Sequence, residues 1–146
     1  MRTRISMIAA SAASLVMLTA TGAQAVTDEH DHATATSGPN SNACVEDPYG
    51  HSRACFAADG DWFALYDKKA DGYSAVVEWV MVKPSNNEII RRGEIWNASG
   101  AGNWRWKNKN LTENYTLAMR SCPGNHTSGG HDVKYNLCSD YAKYKI

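Results

Sequence analysis

The sequence predicts an all-β protein, a single small antiparallel β-sandwich held by two disulfides. Three observations predict it. Short runs of alternating apolar and polar residues recur along the chain, separated by Gly, Pro, Asn and Asp turns. No segment carries a helical i, i+3, i+4 stripe over about eleven residues. Four cysteines, an even number, follow a stretch that reads as an export signal. Roughly six or seven strands in about 100 residues suit a sandwich, with a small closed barrel as the alternative. A domain of this size buries a limited core, and disulfides are the expected supplement.

Residues 1–25 have the three parts of a secretory signal peptide. Arg2 and Arg4 supply the positive start. An apolar stretch follows to Leu18, and Ala23-Gln24-Ala25 forms a small-x-small cleavage site. The apolar stretch is too short, and too interrupted by Ser and Thr, to suit a membrane span. The expected location is secreted and extracellular. Across all 146 residues, 15 Lys and Arg balance 15 Asp and Glu. Without Arg2 and Arg4 the 13 remaining basic side chains face 15 acidic ones, a net charge of −2. Such a chain has no positive surplus for a phosphate backbone or an anionic bilayer, so neither nucleic acid nor membrane is expected as a partner.

An oxidising compartment turns Cys44, Cys55, Cys122 and Cys138 into two disulfides. Three pairings are open. Cys44–Cys55 with Cys122–Cys138 is favoured because each closes a short local loop, worth about 3 kcal/mol in a chain-entropy account. No Cys-x-x-Cys spacing supports zinc. No metal and no cofactor is expected.

Residues 26–42 contain one large aliphatic side chain and no aromatic one. They are predicted to be a disordered tail, since they bury too little surface to offset chain entropy. The folded domain is expected over residues 43–146. Residues 61–67 form a first strand, set between the turn-like Ala58-Asp59-Gly60 and Ala70-Asp71-Gly72. Residues 73–82 form the strongest strand. Ala75, Val77, Trp79 and Met81 share one face, and Val76, Glu78, Val80 and Val82 the other. Both faces are mostly apolar, which suits a central strand. After the turn Pro84-Ser85-Asn86-Asn87, residues 88–97 form a third strand. Residues 98–102 are a flexible connection, and 103–107 return as a fourth strand in a hairpin with the third. Tyr115, Leu117 and Met119 alternate within a half-buried strand over 113–122. Residues 123–130 read as a long polar loop. Val133, Tyr135 and Leu137 alternate again, and 141–146 read as a last edge strand.

The tryptophans are the first candidates for function. Trp104 and Trp106 lie two apart on one strand, so their side chains share a face, and Trp96 is expected across the hairpin. Aromatic faces of this kind stack on sugar rings, although large aromatics also fill cores. If Arg105 faces outward, both tryptophans face inward and the platform vanishes. Trp62 and Trp79 are expected in the core. Glu78, inside an apolar strand, and Glu94 are the carboxylates that a glycosidase pair would use. A solvent-facing glutamate, or one paired with Arg91 or Arg92, is the simpler account. His30 and His32 sit in the acidic tail, and His126 and His131 in a Gly-rich loop. For His30 and His32 solvated disorder is expected, with weak divalent-metal binding as the alternative, and His126 and His131 read as adventitious ligands. Asp59, Asp61, Asp67 and Asp71 lack EF-hand spacing and read as turn residues. Sequons begin at Asn97, Asn110, Asn114 and Asn125. They mark surface glycans only in a eukaryotic secretory pathway, whereas the Ala-rich leader has a bacterial look.

Ala70-Asp71-Gly72-Tyr73-Ser74-Ala75-Val76 with Trp79, and Asn97-Ala98-Ser99-Gly100-Ala101-Gly102-Asn103-Trp104 with Asn108 and Leu111, carry a family resemblance. So do residues 56–67 and the cysteine-bounded C-terminal stretch. The chain resembles small secreted actinobacterial disulfide-bonded β-sandwich proteins of uncharacterised function. Some members carry a further cysteine pair flanking the Gly-Ala-Gly segment, at positions that are Ile95 and Lys107 here. The resemblance implies the fold and export and transfers no catalytic residue.

The functional expectation is a small secreted binding protein. It would recognise a polysaccharide or cell wall through surface tryptophans, acting as a monomer. The alternative is a protein-interaction or inhibitor protein that presents the loop at 123–130. An enzyme is not expected, since Gly-x-Ser-x-Gly, P-loop and His-Glu-x-x-His motifs are all missing.

Overall fold

The computed structural model describes residue 26 and residues 28–146, and the leader over 1–25 lies outside the described residues. The elements run β1 Asp28–His32, β2 Ala43–Glu46, β3 Ser52–Ala57, β4 Trp62–Asp67 and β5 Ser74–Val82. They continue with β6 Ile89–Asn97, β7 Trp104–Asn108, β8 Thr116–Thr127, β9 Gly130–Val133, a 3₁₀ turn Tyr135–Leu137 and β10 Ala142–Lys145. The first sheet has six strands in the order β1-β6-β5-β8-β10, with β9 also on β8. The second has four, in the order β2-β3-β4-β7. This is the expected all-β sandwich. Among the described residues no helix is long and apolar enough to cross a membrane.

The core lies between the sheets. Strand β5 is central, as its two apolar faces predict, and Ala75, Val77, Trp79 and Met81 are fully buried. Phe56, Phe63 and Leu65 of the second sheet meet them, together with Leu117, Met119 and Ile95. Phe63 lies 5.0 Å from Phe56 and 6.1 Å from Trp79, ring centroid to centroid. Each such side chain contributes about 1.5–3 kcal/mol through burial. At one end of the sandwich the buried hydroxyls of Ser52 and Ser121 join the sheets at 2.8 Å. Both expected disulfides are present, Cys44–Cys55 across β2 and β3 and Cys122–Cys138 from β8 to the end of the 3₁₀ turn. No cysteine is free.

Several expectations are corrected. Residues 26–42 are not a uniformly disordered tail. Strand β1 pairs with β6 in parallel, from Asp28 opposite Arg92 to His32 opposite Trp96, so the first sheet is mixed. Ion pairs replace the missing apolar burial. Glu29 accepts two hydrogen bonds from Arg91 (2.8 and 3.0 Å) and one from Lys109 (2.5 Å). Asp31 pairs with Lys107 (2.8 Å) and Lys109. The next residues follow suit, with Ala33 buried and Ala35 bridged to Trp106. The folded body therefore includes β1, from Asp28 onward.

Strands β6 and β7 do not form a hairpin. They lie in different sheets, and β7 pairs with β4. The chain crosses between sheets because the buried Asn97 amide organises the crossing. Its Nδ2 donates to the carbonyls of Leu65 (3.0 Å) and Asn103 (2.8 Å). Its Oδ1 accepts from the Ser99 amide (3.1 Å) and hydroxyl (2.6 Å). Being fully buried, Asn97 has no surface for a glycan.

Residues 123–130 are not a loop either, because β8 runs on to Thr127 and turns into β9. Tyr135 and Leu137 lie in the 3₁₀ turn rather than a strand, with the Leu137 amide donating to the Lys134 carbonyl at 2.8 Å. The Cys138 disulfide and the bond from the Ser139 amide to the Ser121 carbonyl (2.9 Å) hold this segment on β8. The expected edge strand at the C-terminus is β10, paired to β8.

Candidate functional site

On the outer face of the second sheet, the pairing of β7 with β4 sets Trp104 opposite Tyr66 and Trp106 opposite Ala64. The Tyr66 and Trp104 rings stack at 4.9 Å with planes 17° apart, and Trp106 follows at 6.1 Å from Trp104. These two tryptophans face outward. Arg105 and Lys107 take the other side of β7, where Lys107 meets Asp31. Ala64 is small between bulky neighbours, and this leaves a groove of about 290 Å³. Its floor is Ala64 and Cys55, one wall is Trp104 and Trp106, and Arg53 stands opposite. Pro39, Asn40 and Ser41 close the rim. The Trp106 indole N–H donates to the Pro39 carbonyl at 3.3 Å. Gly38 packs so closely on the indole that a Cβ there would lie 2.3 Å from Trp106 Cδ1. The residues read as tail thus form part of the groove.

Trp96 is not part of this surface. It lies on the other sheet and is completely buried, against Val76, Cys122 and Val133. Its indole N–H donates to Glu94 at 3.2 Å. The expectation of a three-tryptophan surface is corrected to Trp104, Trp106 and Tyr66. Trp79 is in the core as expected, whereas Trp62 is half-buried on the outer face of β4.

The outer face of the first sheet is polar. Glu78 and Glu94 lie directly opposite each other on β5 and β6, beside a cavity of about 330 Å³. Glu78 pairs with Arg120 at 2.5 Å, not with Arg91 or Arg92, which instead bind Glu29 and Asp28. Glu94 accepts from the Tyr135 hydroxyl at 2.8 Å. Burial and this bond push the Tyr135 phenol up to about 12. Burial and Glu78 do the same for Tyr141, also to about 12. Both phenols therefore stay protonated, and both carboxylates have partners.

Asp67 and Asp71 behave as turn residues, accepting from the amides of Lys69 (3.2 Å) and Tyr73 (3.0 Å). The Asp61 carboxylate does not: it is buried and accepts from the distant Leu111 amide at 2.7 Å. The histidines do not match their expectation. His30, His32, His126 and His131 come from two distant segments and gather on one face. Burial, and then the neighbouring His126 and His131, holds the His32 imidazole below its ordinary range. Two signals for this cluster stand in the sequence. One is the His-x₄-His spacing of His126 and His131. The other is the alternation of 28–32, which sends His30 and His32 to the side opposite Glu29 and Asp31.

No family model matches the chain, and no curated protein or solved structure matches it.

Proposed function

We propose that the protein is a secreted binding module whose aromatic groove takes a carbohydrate of a cell wall or of the surroundings. The observation that carries this reading is the outward-facing pair Trp104 and Trp106 over the small Ala64 floor, with Arg53 opposite. Aromatic walls supply apolar contact to the C–H faces of a sugar ring. Arg53, Asn40 and Ser41 supply hydrogen bonds to its hydroxyls. The two disulfides and the leader-like residues 1–25 support an oxidising, extracellular location. The module acts as a monomer, without catalysis, nucleic acid or membrane.

A binding screen against insoluble polysaccharides and cell-wall fractions tests this, read by pull-down and by tryptophan fluorescence. A ligand of the groove shifts the emission, and Trp104→Ala weakens its binding by about 2 kcal/mol, about 30-fold. Retention by none of the polysaccharides, with Trp104 and Trp106 closed to acrylamide, ends the carbohydrate reading.

A further inference from the structure

Three imidazoles from three strands converge on the outer face of the first sheet, on the opposite side of the sandwich from the aromatic groove. We propose that His32, His126 and His131 bind one late first-row divalent metal ion of the zinc and copper type. The backbone already places the ligands. Strand β1 pairs in parallel with β6 and turns His32 to the outer face, and the β8–β9 register sets His126 directly opposite His131. The ring centroids lie 4.8, 5.0 and 5.5 Å apart. One ligand nitrogen from each ring lies within 4.8 Å of the others. A tetrahedral ion with metal–nitrogen bonds of about 2.0–2.1 Å needs those nitrogens roughly 3.3 Å apart. Side-chain rotation of these exposed residues closes that difference without moving a strand.

The donor set selects the metal. Three imidazole nitrogens suit zinc, copper or nickel, whereas calcium and magnesium require oxygens. Three ligands leave a fourth position for water or an outside ligand. The floor beneath is rigid and apolar. Buried Trp96 lies 4.9 Å from His131 and 6.1 Å from His126. Gly124 admits no side chain there, since a Cβ would lie 2.5 Å from the indole. His30 stands beside His131 at 6.3 Å, with its Nδ1 3.5 Å from Glu94. A bound ion ties β1 to the β8–β9 hairpin, two elements joined otherwise only through β6 and β5.

The test uses the folded, disulfide-bonded chain. Zinc is titrated calorimetrically, and copper is followed by Trp96 quenching and by electron paramagnetic resonance. The expected result is one ion per chain and a copper spectrum coupled to three nitrogens. Loss of an outer-sphere partner costs about 10–100-fold in affinity, so His32→Ala and His126→Ala each weaken binding by about 100-fold or more. His51, the fifth histidine, sits beside Asp71 and Tyr73 and outside the cluster, so His51→Ala leaves binding unchanged. Zinc also slows hydrogen exchange of β1 in the parent chain and not in either variant. The substituted side chains are exposed, and near-ultraviolet circular dichroism verifies that the variants fold. Zinc affinity equal in the parent and His126→Ala chains, or a copper spectrum without three nitrogens, overturns the proposal.

Discussion

Asn97 shows how much one side chain decides. All its hydrogen-bonding groups are used inside the protein, and it holds the point where the chain leaves one sheet for the other. Asn97→Ala strands the Leu65 and Asn103 carbonyls and is expected to cost about 1–3 kcal/mol in urea unfolding. Gly124 is constrained differently. Its missing side chain is the space that Trp96 fills, so Gly124→Ala is expected to destabilise by about 1–3 kcal/mol through overpacking and to shift the Trp96 emission. Neither role is visible in sequence. Ile95, Trp96 and Asn97 are buried in succession, which breaks the alternation that a strand reading relies on. Trp104 and Trp106 were legible as a pair on one face, but which face required knowing that β7 pairs with β4.

At the level of elements, β1 is the lesson. Hydropathy excludes it from the fold, because its inward residues are Glu29 and Asp31 rather than Val or Ile. Lys109, only 6% exposed, joins both carboxylates. Lys109→Ala is expected to cost about 1–2 kcal/mol and to speed exchange of the β1 amides, since the two acids stay partly solvated. Acid acts similarly. Arg91 holds the Glu29 carboxyl below its ordinary 4.5. Burial raises Asp31, but Lys107 and Lys109 outweigh it and hold that carboxyl below 3.8. Depressed carboxyls stabilise the fold above their unfolded values and lose that contribution as pH falls through the folded ones. Protection of the β1 amides, relative to their intrinsic exchange rates, is therefore expected to fall below about pH 4 while the β5 amides stay protected. Strands β4, β5 and β10 were legible because apolar residues carry them. Strand β1 and the sheet crossing after β6 were not, because polar contacts carry them; β9 was not, because its hairpin with the end of β8 is built from Gly, Asn, His and Asp rather than apolar residues.

For the whole molecule, the sandwich and both disulfides follow from strand length, turn residues and cysteine count. The two cross-links span separations of 11 and 16 residues on opposite faces. At about 3 kcal/mol each, they approach the whole stability of a small domain, about 5–15 kcal/mol. Reduction is expected to lower the thermal midpoint sharply, read by circular dichroism with and without dithiothreitol. The parallel pairing of β1 also has a consequence in time. Asp28 meets Arg92, 64 positions further along. The strand made first during synthesis is thus completed after its neighbours, and it waits as an unpaired segment until β6 exists. An apolar strand left waiting would invite aggregation, whereas Asp-Glu-His-Asp-His is charged enough to wait in water. The composition that hides β1 from a hydropathy reading is what lets the newly made chain keep it in reserve.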